Sequence, residues 1–268
     1  MRLSILETAA QPPLTLTMLE TGIKQRILAS PSLGPFARKI LFPAYVGLYP
    51  FLHLMWRFEF DGRRYRYVFH PYVTTIHSER IVEIPIVSRE LKRQGSRRVL
   101  EVGNVLYHYF PCTHTVVDKF EESPHCLNLD ILDYHPDTSY DFIFSISTVE
   151  HVGLNALEQS PEKSVLALQH MRTLLAPGGR MVVTIPWGYN PVLDRYLFSD
   201  ECLFNALKFM RRVSRKNVWV QAEADSVQTA RYGEPYPFAN ALVIGYLTLD
   251  APPDGAGGTG HANGPAIP

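Results

Sequence analysis

The chain alternates short apolar runs with helical segments from Arg97 onward, and this alternation constrains the fold more than any other feature. RRVLEV, HTVVD, CLNLD, YDFIFSIS and RMVVTIP are short apolar runs bounded by polar or turn residues, which is typical of buried strands. PEKSVLALQHMRTLL has apolar residues at helical spacing and is followed by APGG, which favours a helix end. We therefore predict an α/β fold, Rossmann-like and doubly wound, with a mostly parallel seven-stranded sheet and helices on both faces.

The flanking segments complete this picture. SDECLFNALKFMRRV reads as a helix that begins at Ser199 or Asp200, and NVWVQAEA and NALVIGYLTL read as closing strands. Asp61-Gly62 lies between two alternating aromatic-rich runs, which predicts a β-hairpin in an N-terminal extension. SERIVEIPIVSREL predicts a lead-in helix.

These patterns divide the chain into four regions. Residues 1–57 form an apolar, irregular lead-in with proline-rich joints, and residues 58–96 hold the hairpin and the lead-in helix. Residues 97–250 form the core domain. Residues 251–268 have almost no large apolar side chain, which predicts a disordered tail.

Composition excludes several classes of protein. The net charge is zero and the basic residues are scattered, so we expect no nucleic-acid partner. The three cysteines lie far apart and match neither a metal-binding motif nor a disulfide framework, so we predict no metal site and a reducing, cytoplasmic location. The N-terminus lacks the order of a signal peptide.

An uncharged segment, residues 40–56, complicates a purely soluble interpretation. It is shorter than the roughly 20 residues of a spanning helix and contains two prolines. We favour a packed, irregular segment; the alternatives are peripheral contact with the inner membrane surface and, third, a transmembrane helix.

Three acidic residues occupy predicted strand ends: Glu101, Asp118 and Asp130. In an open α/β sheet, ligands bind beyond the carboxyl ends of the strands. A carboxylate after the second strand is well placed to accept both hydrogen bonds from a ribose diol. Each acid alone would read as a turn or cap residue, but the ordered series favours a nucleotide-like ligand.

Three motifs resemble those of class I S-adenosylmethionine-dependent methyltransferases. YDFIFSISTVEHVG resembles the strand and Glu-His-Val turn of that family, LLAPGGRMVVTIP resembles its later helix–strand motif, and RRVLEVGN resembles the first half of its cofactor loop. ERIVEIPI and PWGYNPVLD are also similar to bacterial methyltransferase-like proteins of surface-glycan synthesis. The match covers roughly residues 97–186 and continues more weakly to 249.

The resemblance implies S-adenosylmethionine as cofactor and a role for each matching residue. Glu101, Gly103 and Asn104 would lie against the amino-acid part of the cofactor, and Asp118 would bind its ribose. Asp130 and the backbone of Ile131 would contact adenine, and the segment ending at Ser147 would line the pocket floor. Glu150 and His151 would stand near the transferred methyl group.

The loop departs from the family pattern at Val105, where the family has glycine. A β-branched residue is poor at positive φ, so we predict a rebuilt turn with a shortened helix in place of a standard glycine loop. Asn104 tolerates turn conformations and could partly replace the missing glycines. The rings of His108 and Tyr109 either reach the ligand or pack beneath the loop.

Catalytic roles are less determined by the sequence. His151 is the candidate general base for a hydroxyl acceptor, and its alternative is a structural histidine. Glu150 either orients the acceptor or caps a helix. HPYVTTIHSER, PWGYNPVLDRY and RYGEPYPFAN are candidate acceptor loops, and the expected acceptor is a small molecule or a lipid- or sugar-linked one.

Two other functions are weighed against this one. A catalytically inactive methyltransferase-fold protein could serve as a binding partner or subunit, because the loop lacks glycines. A nicotinamide-dependent oxidoreductase is disfavoured because G-x-G-x-x-G does not follow the first strand.

Overall fold

The computed structural model describes residues 56–251, apart from Pro71, Val73, Thr74, Ser96, Ala156 and Leu157. The predictions for residues 1–55, including nearly all of the apolar segment, and for the tail at 252–268 lie outside the described residues. None of the described helices is long and apolar enough to cross a membrane.

The described residues form twelve strands and four α-helices. The strands are β1 (Arg57–Phe60), β2 (Arg63–Arg66), β3 (Val99–Val102), β4 (Thr115–Asp118), β5 (Leu127–Asn128), β6 (Tyr140–Ile146), β7 (Leu154–Asn155), β8 (Glu158–Gln159), β9 (Leu175–Pro186), β10 (Ala206–Arg212), β11 (Trp219–Ala222) and β12 (Ala241–Thr248). The helices are α1 (Arg80–Lys92), α2 (Lys163–Thr173), α3 (Pro191–Leu197) and α4 (Ala224–Gln228). Short 3-10 turns cover Leu106–His108, Ile131–Asp133 and Val149–His151.

One sheet forms the centre of the molecule, in the order β11-β10-β12-β9-β6-β3-β4-β5. The strands from β9 to β5 are parallel, whereas β12 runs antiparallel between β9 and β10. The predicted α/β, mostly parallel sheet is confirmed, but it has eight strands and the predicted seven is wrong. The strand order reverses between β3 and β6, and ligands of such sheets bind at that switch point.

The eighth strand of the sheet is β10, which lies in a segment that was wrongly predicted to be a helix. The segment predicted as a helix from Ser199 or Asp200 contains strand β10, which pairs with both β11 and β12. Its alanine, leucine, lysine and arginine residues favour a helix locally, but pairing on both edges overrides that weak preference. Asn217, at φ +60°, turns the chain from β10 into β11.

Apolar side chains cover the two faces of the sheet. On one face, α2 and α3 pack through residues such as Leu168, Met171 and Leu193. On the other face, α1 and the β1–β2 hairpin pack against Phe142 and Phe144 of β6. The predicted hairpin and lead-in helix are therefore present, and helices lie on both faces. This layering leaves the carboxyl ends of β3, β4 and β6 at one edge.

Candidate functional site

A narrow cleft lies at the switch point, beyond the carboxyl ends of β3, β4 and β6. Its volume is about 80 Å³. The lining residues come from four separate chain segments: Val102, Gly103, Val117, Asp118, Lys119, Phe120, Leu129, Asp130, Ile131, Thr148, His151, Val152 and Gly153. Five of the residues singled out from the sequence are among them, although up to 48 positions separate them along the chain (103 to 151).

The Glu101 carboxylate holds the loop that follows β3. Its Oε1 accepts hydrogen bonds from the backbone N–H groups of Val105, at 2.9 Å, and Leu106, at 2.7 Å. Its Oε2 lies 2.7 Å from Nε2 of His114. Glu101 is fully buried and does not line the cleft. The contacts of the Glu101 side chain are therefore with the loop and with His114. Its predicted contact with the cofactor would have to be indirect.

Val105 needs no unusual backbone conformation. Its φ is −103°, in the right-handed helical region, and its side chain is buried against the α1 face of the sheet. Leu106–His108 then forms a single 3-10 turn. The prediction of a rebuilt turn with a shortened helix is thus confirmed, and the turn is built so that valine is tolerated.

Gly103 carries the positive φ that the loop requires. Its φ is +90°, and a Cβ atom at this position would lie 2.2 Å from Oγ1 of Thr148. The Gly103 N–H donates to the Val117 carbonyl at 2.8 Å. The backbones of β3 and β4 and the exit of β6 are thereby brought together at the cleft, and only glycine fits between them.

Asp118 and Asn104 meet across the loop. The Asn104 N–H donates to Oδ2 of Asp118 at 3.1 Å, and Oδ1 of Asp118 accepts from the N–H groups of Phe120 and Glu121. These three bonds fix the orientation of the carboxylate at the cleft wall. The side-chain amide of Asn104 is buried, and neither Oδ1 nor Nδ2 has a hydrogen-bond partner among the described residues. A buried amide without partners is costly, so this position suits a polar ligand atom.

Asp130 and Ile131 form the opposite wall of the cleft. Oδ2 of Asp130 pairs with Nζ of Lys119 at 2.9 Å, and Oδ1 accepts from the N–H of Leu132 at 3.0 Å. Partial burial would raise the pKa of Asp130, but Lys119 and the Leu132 N–H outweigh it and lower the pKa. The ion pair joins Lys119, directly after β4, to Asp130, directly before the 3-10 turn at Ile131–Asp133, and both residues line the cleft.

Ser147 faces α1 and does not line the cleft. Its φ is +40°, and its hydroxyl donates to Oε1 of Glu83 at 2.5 Å. The Arg80 guanidinium donates to the carbonyls of Ile146 and Ser147 and lies 3.8 Å from Glu83. Burial raises the pKa of Glu83 to about 7. The exit of β6 is therefore fastened to the start of α1.

Glu150 and His151 differ sharply in environment. Glu150 is buried, and its carboxylate has no hydrogen-bond partner among the described residues. Its burial, reinforced by the negative charge of Glu83, raises its pKa well above the usual range. His151 is half exposed at the cleft, and Nε2 lies 3.6 Å from Oε1 of Glu150. Partial burial and the nearby Arg80 charge lower the pKa of His151, which favours a neutral imidazole at neutral pH.

Aromatic rings from two predicted acceptor loops form a row that starts at His151. The Tyr189 ring lies 4.3 Å from the His151 ring, edge to face, and the Tyr232 ring lies 5.1 Å from Tyr189. By contrast, His108 stacks on Tyr72 at 4.0 Å, and the Tyr109 hydroxyl bonds Thr75 at 2.7 Å. The rings of His108 and Tyr109 therefore contact the third predicted acceptor loop, HPYVTTIHSER, and neither residue lines the cleft.

The structure brings Gly103, Asp118, Asp130, Ile131 and His151 to one cleft. Glu101, Asn104, Ser147 and Glu150 are not among the residues that line this cleft. Sequence reasoning missed Thr148, Lys119 and Phe120 as lining residues. Thr148 directly follows Ser147, and Lys119 and Phe120 directly follow Asp118. Their positions just beyond strand ends were the available signal that they line the cleft.

No protein-family model and no curated protein matches this chain. Among similar solved structures, an S-adenosylmethionine-dependent methyltransferase of Thermotoga maritima, described as a possible histamine N-methyltransferase, is 16% identical; the match covers 63% of this chain and 89% of that one, with a TM-score of 0.38. The N-methyltransferase NodS of Bradyrhizobium japonicum, with S-adenosyl-L-homocysteine, is 16% identical over 64% and 87%, with a TM-score of 0.36. The 1,6-didemethyltoxoflavin N1-methyltransferase of Burkholderia thailandensis is 15% identical over 62% and 75%, with a TM-score of 0.38.

Identities and scores this low transfer no activity. The fold class rests on the chain itself: β9, β6, β3, β4 and β5 are parallel in doubly wound order, and β12, β10 and β11 continue the sheet with antiparallel pairing. The likeness to surface-glycan proteins stays a prediction.

Proposed function

We propose that this chain is an S-adenosylmethionine-dependent methyltransferase. The observation that carries the proposal is the cleft at the switch point, where residues of three separate chain segments meet. Gly103 comes from the first motif, Asp118 from the second strand end and His151 from the Glu-His-Val turn. A cleft at this edge of a doubly wound sheet is the usual ligand position.

The lining residues fit the cofactor in chemical type. Asp118 keeps a fixed carboxylate for the ribose hydroxyls, and Ile131 offers an apolar wall and a backbone for adenine. The unpartnered side-chain amide of Asn104 is buried beside the cleft; once the cleft widens, it would offer a donor and an acceptor to the amino-acid end. When bound, the cofactor supplies a methyl group already activated by its sulfonium. The protein's main task is then to align the acceptor and exclude water.

His151 is proposed as the residue nearest the acceptor. Its lowered pKa favours the neutral form, which can accept a proton from a hydroxyl acceptor at neutral pH. Tyr189 and Tyr232 add an aromatic wall beside it. Glu150 lies behind His151 and would position it. We propose a small-molecule or lipid- or sugar-linked acceptor, bound where these rings meet the cleft.

Calorimetric titration with S-adenosylmethionine and S-adenosylhomocysteine tests the proposal. Asp118→Asn keeps an oxygen for the turn but removes the charge that a ribose diol would bind. Hydrogen bonds to charged groups contribute roughly 1.5–3 kcal/mol, so we expect at least about tenfold weaker binding. Asp141→Asn is the matched control, because Asp141 pairs with Arg98 away from the cleft. Equal affinity in wild type and Asp118→Asn would contradict the assigned site.

One observation favours a second candidate, a catalytically inactive methyltransferase-fold partner subunit. The cleft measures about 80 Å³, whereas ligand pockets usually exceed roughly 300 Å³. Cofactor binding therefore requires the cleft to widen, starting with the Lys119–Asp130 pair. A well-folded chain that binds neither cofactor form would support this candidate and contradict the enzyme proposal. Formation of S-adenosylhomocysteine with any acceptor would exclude it.

A further inference from the structure

Three chemically different side chains converge behind the loop, on the side away from the cleft. They are Glu101 from β3 and Cys112 and His114 from the crossover to β4. One ligand-type atom of each lies within 4.8 Å of the other two. Oε2 of Glu101 and Nε2 of His114 are 2.7 Å apart. The sequence predicted no metal site, because the cysteines lie far apart and match no metal-binding motif.

The short crossover explains why these residues meet. Only one 3-10 turn separates β3 from the short segment that holds Cys112 and His114 and leads into β4. The thiol of Cys112 and the imidazole of His114 both come within 4.8 Å of the Glu101 carboxylate. Glu101 is held by two backbone N–H groups at Oε1, which leaves Oε2 directed at the pair. The carboxylate is thus preorganised for a third partner.

We propose that Glu101, Cys112 and His114 form a binding site for a divalent metal ion of the zinc type. A thiolate, an imidazole and a carboxylate are all good zinc ligands, and the mixture is less suited to magnesium or calcium. Three protein ligands leave one tetrahedral position open. A cavity of about 680 Å³, lined in part by Cys112, His114 and Phe110, adjoins the cluster and gives water or another small ligand access to that position.

The burial of the cluster also favours a metal ion over an incidental contact. The side chain of Glu101 is fully buried and that of His114 is 8% exposed. A hydrogen bond between Glu101 and His114 accounts for those two residues without a metal. It does not require the thiol, whose only hydrogen bond among the described residues goes to the Phe110 carbonyl at 3.3 Å. The metal would clamp the crossover to the carboxylate that holds the cofactor loop.

This inference goes beyond the proposed function and does not rest on it. The test uses the full chain, freed of metal by a chelator and titrated with Co²⁺, without cofactor or acceptor. We expect saturation at one equivalent, with a thiolate-to-cobalt charge-transfer band and the visible bands of tetrahedral cobalt. One equivalent of Zn²⁺ should remove both. Absence of the charge-transfer band from a folded protein at several equivalents would overturn the proposal.

Variants separate the proposed site from adventitious thiols. Cys112→Ser should abolish the charge-transfer band, whereas Cys126→Ser, which alters another partly buried cysteine, should leave it unchanged. His114→Gln keeps a hydrogen-bonding group beside Glu101 but offers a poor ligand. Outer-shell changes already weaken metal sites by roughly 10-fold or more, so we expect a loss of at least about 10-fold here. Circular dichroism confirms that each variant is folded. A band lost in Cys126→Ser and kept in Cys112→Ser would contradict the assignment.

Discussion

At the scale of single residues, the loop after β3 shows how one glycine does the work that several do in related motifs. Val105 occupies an ordinary helical φ, so its side chain costs nothing there and packs against the sheet. Within this loop only Gly103 has a positive φ, and Thr148 occupies the space that a side chain would need. The missing glycine at Val105 therefore gives no reason to regard the loop as a relic.

Gly103→Ala should lower the free energy of unfolding by more than the cost of placing alanine at a positive φ. Gly95 offers a matched control, because it also has a positive φ, +62°, but no atom within 4 Å of an added Cβ. We expect Gly95→Ala to cost about 1 kcal/mol through its backbone conformation. Gly103→Ala should cost about 1–3 kcal/mol more, because Thr148 must move. Urea unfolding measures both free energies, and equal losses would show that the close approach of Thr148 is wrong.

At the scale of elements, α1 is attached to the sheet by buried charge. Ser147 and Arg80 both contact Glu83, whereas Glu79 adds negative charge nearby. The pKa of Glu83 is raised to about 7 from an ordinary value of 4.5. The folded state therefore holds a proton that the unfolded state releases. The contribution of this group to stability is full below about pH 4.5 and falls as pH rises through 7.

Glu83→Gln should remove that pH dependence. Glutamine imitates the protonated carboxyl group, so we expect the variant and the wild type to differ little near pH 5. Between pH 5 and 8 the wild type should lose free energy of unfolding relative to the variant. Glu201→Gln, at an exposed position, should show a constant difference from wild type. A constant difference for Glu83→Gln as well would contradict the raised pKa.

The elements also show which parts of the fold local sequence can predict. The parallel strands were predictable because β3 and β6 are buried on both faces and read as continuous apolar runs. Strand β10 was not, because only Met210 and Arg212 are buried and its other residues favour a helix. Its identity depends on β12, which lies about 35 residues further along the chain. Pairing at that distance leaves no local pattern.

At the scale of the whole molecule, the residues that line the cleft were predictable from the sequence where they lie at or just after the end of a strand. Asp118, Asp130 and His151 lie at the cleft because consecutive parallel strands end at one edge. The directions of the side chains could not be predicted from the sequence: Glu101 points into the loop, and Ser147 points to α1. The Glu101–Cys112–His114 cluster was invisible in the sequence, because the short crossover brings together residues of no recognisable spacing.

The central claim is that the switch-point cleft holds the cofactor despite its glycine-poor loop, and hydrogen-exchange mass spectrometry with S-adenosylhomocysteine tests it most directly. Peptides containing Gly103–Leu106, Asp118–Glu121 and Ile131–Asp133 should exchange more slowly in the complex, because their backbone lines or supports the cleft. Peptides from β10 and β11, at the far edge of the sheet, should be unchanged. Protection confined to other segments, or none at saturating ligand, would contradict the claim.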